Sequence, residues 1–533
     1  MRAVLCKRAS GHRTSTNNNS VLSDQGAFFM LFTFLPWVSG CRKMPHVLRY
    51  LLTSKSVEAK KSGGLSNMDI INGFIHIVNG IYEFLWGDLI AIPLPGGGTV
   101  GISLLVLLLI PAGIFFTVRL RFPQIRLFPD MIRAVTEKND HSVKGSISGF
   151  QTLIIATATR VGMGNLVGVV AAISAGGAGA VFWMWITAIL GSATAFVEAT
   201  LAQLYREKDP LYGGFRGTPA YYIQDCFGRK GKKSIIAVLF AISGLICWCG
   251  ISQVISNSVS SAFENAFHIP ALYTTIVLVI LAAVIVLRKN ATVKVLDILV
   301  PIMATCYFAI TLFIIFKNVT LLPSVFARIF EEAFGIRQAV AGGFGAILMN
   351  GVKRGLCSNE AGSGSAPCAA AAADVGHPAK AGLLQAFGVF IDTIVICSCT
   401  AMIMLLAPSD MLQGLEGMSL LQTAMQYHLG SFGTIFIAAT LWLFSFSTFI
   451  GILFYARSNV AYLFGDNWVS QTSYKVLALV MLFIGGLAAY TFVWELGDVG
   501  IGLMTIFNMA AILKLSGKAS NCLKEYENNK KGL

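Results

Sequence analysis

Of the 533 residues, 55% are apolar and only 12% are charged, with a formal net charge of +14. A soluble chain of this length would divide into several domains with charged surfaces, and here the charged share is about half of what such surfaces carry. A soluble enzyme, a disordered chain and a collagen-like chain are excluded, which leaves an all-α membrane protein with many spans.

The basic excess does not point to nucleic acid, because Lys and Arg gather on no polar domain. Several of the eleven Cys lie inside apolar runs (Cys247, Cys249, Cys306, Cys397, Cys399) and read as small buried hydrophobes. The sequence holds no CxxC and no paired Cys/His set of metal spacing. No cofactor is expected.

In chain order, residues 1–67 are polar, with one short apolar run from Ala27 to Trp37 that cannot span a bilayer. They read as an extension that is disordered or is an over-extended start, with Met68 as the natural beginning. Residues 68–90 read as an amphipathic helix on the membrane surface, leading to a first span that closes by 120. Eleven apolar runs follow, near 97–118, 148–175, 181–204, 234–263, 271–287, 296–316, 339–373, 382–407, 431–456, 474–490 and 497–513. Each approaches or exceeds the roughly 20 residues a spanning helix needs. The runs 148–175 and 339–373 are too long for one straight span and carry Gly and polar residues midway, which predicts interrupted helices. A polar tail, 514–533, closes the chain.

Loop charge sets the orientation. Alternate loops, starting at 119–147 and including the tail, hold 23 Lys and Arg, whereas the intervening ones hold three, all within 317–338. This bias places the richer set, and the C-terminus, in the cytoplasm.

The two long runs align. Arg160 and Asn165 in the first match Arg354 and Asn359 in the second, at the same spacing. Five spans separate the starts of the two runs, so the units face opposite ways. This predicts a 5+5 inverted repeat, 148–316 and 339–513, with one extra span in front. Transporters of this design hold substrate between the repeats, at broken helices.

An unwound segment at membrane depth leaves backbone groups without partners, a cost tolerated where the segment lines a cavity. Amides opening the following half-helix suit a carboxylate, and carbonyls closing the preceding one suit a cation. A zwitterionic amino acid with a co-bound cation uses both. Gly162 and Gly164 allow close backbone approach, and Asn165 offers a neutral amide oxygen. The same glycines also fit plain helix packing.

The stretch GGAGAVFWMWITAILG (Gly176–Gly191) resembles the motif of the alanine/glycine:cation symporter family, the sodium:alanine symporters. VGMGNLVGV (Val161–Val169), AFVEATLAQLYREKD (Ala195–Asp209), RGTPAYYI (Arg216–Ile223), GVKRGLCSNEAGSGSAP (Gly351–Pro367) and FIDTIVIC (Phe390–Cys397) extend the resemblance over about 68–520. It implies the leucine-transporter-like fold of the amino-acid–polyamine–cation superfamily and Na⁺- or H⁺-driven uptake of alanine or glycine across a bacterial inner membrane.

The resemblance also implies site positions. Substrate contacts fall on Gly162, Met163, Gly164 and Asn165 in the first break, and on Gly351 and Val352 at the second break. Cation contacts fall on Val161, Asn165, Ser447 and Thr448, the last two also being able to cap a carbonyl of their own helix. Trp248 is the candidate aromatic cover, with simple packing as the other reading. Three departures stand out. Ala178 sits where the family often has Pro, Thr218 replaces the second Gly of RGGP, and Ile452 sits where some members carry Trp. The last implies a roomier substrate pocket.

Arg160, Glu198, Lys353, Arg354, Glu360 and Asp392 are charges in or near spans, where charge is expensive and usually paired or functional. Pairing of the two Arg with Glu360, Asp392 or Glu198 is expected, either to hold the bundle together or to serve gating or proton coupling. No GxxxxGK[ST] loop is present for an ATP-driven pump, and no HExxH or GxSxG for a membrane enzyme. The expectation is a Na⁺ symporter for a small neutral amino acid in a lipid bilayer, with a proton-coupled or uncoupled facilitator or channel as the alternative.

Overall fold

The computed structural model describes residues 67–93, 99–137, 147–229, 231–287, 292–335, 343–412, 414–415, 417–488 and 490–531. The N-terminal extension before Asn67 lies outside the described residues. In lipid every backbone polar group needs a partner within the protein, and the chain meets that demand almost wholly with helices.

Helix α1 (Asn67–Trp86) leads into an antiparallel hairpin, β1 (Ile90–Pro93) with β2 (Thr99–Ile102), in which Ile90 faces Ile102. Then come α2 (Leu104–Arg119), α3 (Phe128–Thr136), α4 (Gly149–Arg160), α5 (Gly164–Gly176), α6 (Gly179–Leu204), α7 (Pro219–Phe227), α8 (Ile235–Phe267), α9 (Ala271–Val286), α10 (Thr292–Lys317) and α11 (Leu322–Ala333). The second half holds α12 (Gly343–Asn359), α13 (Pro378–Leu405), α14 (Met418–Leu429), α15 (Ser431–Phe464), α16 (Trp468–Gly485) and α17 (Tyr490–Lys531).

Among the described residues, seven helices are long and apolar enough to cross a bilayer, and α4 with α5 makes an eighth if that bent pair is one span. Helices α2 and α9 are apolar but shorter. Among the described residues, helix carries most of each of the eleven apolar runs, although 97–118 includes β2 and 339–373 leaves helix after Asn359.

Helix α8 packs against α15 and α17, while α6 packs against α12 and α13. On α9, Ile276, Ile280 and Val284 recur every fourth residue and face outward. Such a stripe suits lipid, where the surface is as apolar as the interior. Of the stretch 68–90 expected to be a surface helix, residues up to Trp86 are helical as α1. It buries Val78 against Leu496 and Val499 of α17, and Leu85 and Trp86 in the main core.

Three irregularities position the site. The first is a 45° bend between α4 and α5. The second is the end of α12 at Asn359, followed by turns through Ala366 and a single helical turn, Pro367–Ala370. The third is a widened helical stretch inside α13, Phe390–Cys397, that carries Asp392. Widened turns of this kind recur at functional sites.

Candidate substrate and cation site

The first break is built from both ends. Ser148 and Gln151 cap the start of α4 reciprocally, a pairing that satisfies two otherwise free amides. The helix stops after Arg160, where Val161 turns out of helical backbone (ψ 73°). Asn165 stitches the gap: its Oδ1 accepts from the Gly162 N–H (3.2 Å). Its Nδ2 donates to the Asp392 side chain (2.7 Å) and carbonyl (3.0 Å). The amide oxygen expected to face a cation is therefore engaged with backbone.

Helix α15 lies across the open end of α4. Thr448 Oγ1 donates to the Ala158 carbonyl (3.3 Å) and accepts from the Met163 N–H (3.4 Å). Ser447 Oγ donates to Phe444 O (2.8 Å) and reaches Ala158 O at 3.5 Å. Two hydroxyls and a helix-terminal carbonyl thus converge. Hard neutral oxygens of this kind suit an alkali cation, and the carbonyl end of a helix adds partial negative charge. The capping reading of Ser447 is also realised, whereas Thr448 points across to α4. Gly162 permits this approach, because a Cβ on it would lie 1.8 Å from Thr448 Oγ1.

The second break corrects the sequence expectation. Gly351 and Val352 lie inside unbroken helix. Gly351 lets α12 lie directly on α6: a Cβ there would sit 2.5 Å from Trp183 Cβ and 2.6 Å from Ala180 O. Val352 is fully buried. The chain leaves the helix at Glu360 (φ 56°), Gly362 (φ 92°) and Gly364 (φ 84°), all in left-handed backbone. That conformation ends a helix and is costly for a non-glycine residue.

The two breaks share one small interior cavity. Met163 and Gly164 line it from the first break, and Cys357, Glu360 and Ser365 from α12 and the second break. Helix α8 contributes Cys247, Trp248 and Ile251. Thr159, Thr448, Ile452 and Ile501 complete the wall. Of the residues the resemblance implied for substrate, Met163, Gly164, Trp248 and Ile452 line this cavity, while Gly162, Asn165, Gly351 and Val352 face other neighbours. Thr159, Ile251 and Ile501 were invisible in the sequence, since small or branched residues in an apolar run carry no distinguishing signal.

The intramembrane charges sort into separate sets. Arg160 is fully buried, with Nε 4.0 Å from Glu360 Oε2 and Nη1 donating to the Gln385 carbonyl (3.3 Å). Glu198 accepts from the Gly362 N–H (3.3 Å) and from Asn508 (2.8 Å), fixing the second break. Asp392 accepts from Asn165, Ser358 (2.8 Å) and Thr393 (2.7 Å). Arg354 was expected to pair with one of these acids. It pairs instead with Asp498 of α17 (3.1 Å), as does Lys353 (2.7 Å). The reason is geometric: α12 is still helical at 353 and 354, so both cations stay on the face packed near α17 and α1, where Lys353 also reaches Tyr82 OH (2.5 Å). Asp498 was overlooked although it lies in a predicted span. Elsewhere, Arg457 pairs with Asp209 (3.0 Å) and Arg216 with Asp466.

Two of the departures make bonds that the usual residue cannot. The Ala178 N–H donates to Glu332 Oε2 (2.5 Å), which Pro could not do. Thr218 Oγ1 donates to Asn459 Oδ1 (2.5 Å), which Gly could not do.

Residues 96–532 match the profile described as the Sodium:alanine symporter family. The chain belongs to this family. Among its relatives, GlnT of Bacillus subtilis (strain 168), named a probable sodium/glutamine symporter, is 43% identical over 431 residues, which span 80% of this chain and 89% of GlnT. The amino-acid carrier protein AlsT of the same organism is 42% identical over 427 residues, 80% of this chain and 89% of AlsT. The sodium/alanine symporter AgcS of Methanococcus maripaludis is 35% identical over 451 residues, 83% of this chain and 95% of AgcS. In fold, the chain is similar to MhsT solved in complex with L-phenylalanine, with a TM-score of 0.50, 12% identity and coverage of 68% of this chain and 87% of MhsT. The leucine-transporter-like architecture expected from the sequence is the one found, and the protein is an integral membrane transporter.

Proposed function

We propose that the chain is a Na⁺-coupled symporter for a small neutral amino acid, alanine or glycine, working by alternating access in a bacterial plasma membrane with its C-terminus in the cytoplasm. The observation that supports this reading is that one element, the first break, borders both a cluster of neutral oxygens and the interior cavity. Its Ala158 carbonyl faces the Ser447 and Thr448 hydroxyls, while Met163 and Gly164 line the cavity a few residues on.

Na⁺ at the hydroxyls would hold α15 against α4 and fix the backbone that receives the amino acid. Two sets of ion pairs, Lys353 and Arg354 with Asp498, and Arg457 with Asp209 plus Arg216 with Asp466, would serve as the two gates. Opening one gate at a time gives alternating access. The charge bias of the loops makes the Arg457 gate cytoplasmic. The membrane potential supplies about 2.3 kcal/mol per charge per 100 mV.

Ile452 in the cavity wall, where some family members carry Trp, leaves space for a side chain longer than methyl. The naming of GlnT as a glutamine symporter is in keeping with such room. The test is uptake of radiolabelled alanine into proteoliposomes. Accumulation above equilibrium only with inward Na⁺ is the expected result, and equilibration without any gradient would replace symport with a facilitator.

A further inference from the structure

We infer that Glu360 is the counter-ion for the α-ammonium of the transported amino acid, so that the cavity selects amines over otherwise identical neutral or hydroxyl compounds. The inference rests on the amino-acid reading above and adds the group that recognises the amine.

Four observations converge. Glu360 lines the cavity, and no other acidic side chain does so among the described residues. Its own partners are weak: Arg160 Nε stands at 4.0 Å, the outer limit of an ion pair, and Tyr455 OH at 3.4 Å. The side chain of Glu360 retains 11% exposure although it lies at membrane depth, whereas Arg160 beside it retains none. The open part of the carboxylate therefore has the cavity to face. Finally, a non-glycine residue is held at φ 56° in the turn that ends α12. Strain of this kind persists where the surrounding structure over-determines it, and it clusters at ligand sites.

Charge balance points the same way. Of the three buried acids Glu198, Glu360 and Asp392, Arg160 reaches ion-pair distance only with Glu360, and only at the outer limit of 4.0 Å. Glu198 and Asp392 have close N–H or O–H donors of their own. Glu360 has the fewest, and a carboxylate in low dielectric needs a partner. An ammonium arriving in the cavity supplies both charge and N–H donors, the stronger class of hydrogen bond.

The experiment compares alanine with 2-hydroxypropanoate, which replaces the ammonium by a hydroxyl, as competitors of labelled alanine in proteoliposomes with inward Na⁺. The full chain and its Glu360→Gln variant are assayed. The unaltered protein is expected to prefer alanine strongly. Glu360→Gln is expected to shrink that preference about 10- to 100-fold, the worth of a hydrogen bond to a charged group. An unchanged preference ratio in a variant that still transports overturns the assignment, whereas a merely structural role would weaken both competitors equally. Should Glu360→Gln fail to fold, Glu360→Asp keeps the charge with a shorter reach. It is expected to weaken alanine more than the hydroxy acid, and equal weakening of both overturns the assignment. Absence of any amino-acid uptake by the unaltered protein would instead refute the transport reading itself.

Discussion

Replacing Gly162 by Ala tests the shared use of the first break. A Cβ at this position would lie 1.8 Å from Thr448 Oγ1 and 3.2 Å from the Ala158 carbonyl, where ordinary contact begins near 3.4 Å. The hydroxyl must retreat by well over an ångström, so it loses both the Ala158 carbonyl and the Met163 N–H. One displaced ligand plus a buried N–H left without its partner costs about 1–3 kcal/mol. That corresponds to a loss of Na⁺ affinity of about 5- to 150-fold. Gly168, in the same interrupted segment, is the internal control, because a Cβ there meets nothing within 4 Å. Gly168→Ala is expected to leave Na⁺ dependence unchanged. The assay is half-saturation by Na⁺ of labelled alanine uptake, with thermal unfolding in detergent to confirm folding. A folded Gly162→Ala with unaltered Na⁺ dependence would refute the placement of the cation.

Other outcomes follow from the same geometry. Thr448→Ala is expected to weaken Na⁺ dependence more than Ser447→Ala, because Ser447 spends its hydroxyl mainly on Phe444 of its own helix; Na⁺ titration of uptake checks the order. Asp498→Asn leaves Lys353 and Arg354 buried without their shared carboxylate, an arrangement that costs about 3–5 kcal/mol. A lowered melting temperature in detergent, partly restored by adding Lys353→Met, is expected. Ile452→Trp is expected to fill the cavity so that glycine still competes for uptake while glutamine does not, measured by competition. Glu198→Gln weakens the tie to Gly362 and Asn508 and is expected to lower thermal stability while leaving Na⁺ half-saturation of residual uptake unchanged.

Much of the fold was legible because a bilayer enforces long apolar runs. The first break was legible too: glycines flanking Met163 inside an apolar run signal unwinding. The second was misplaced, because Gly351 looks like a break residue in sequence but is a contact residue in space, pressed against Trp183 and Ala180. The helix instead ends at Glu360, whose left-handed backbone no residue type announces. The repeat carried the same ambiguity. Arg160 and Arg354 align in sequence, yet one closes its helix and the other sits a turn and a half before the end, so they find different partners. Asp392 was visible as a charge, but its link to Asn165 and Ser358 depends on the widened turns of α13.

A cation and an amino acid that share the first break would bind cooperatively. The direct measurement is isothermal titration of alanine into purified protein at a series of Na⁺ concentrations, and of Na⁺ at a series of alanine concentrations. Each is expected to raise the affinity of the other by the same factor, as linkage requires. Alanine affinity independent of Na⁺ would contradict that expectation.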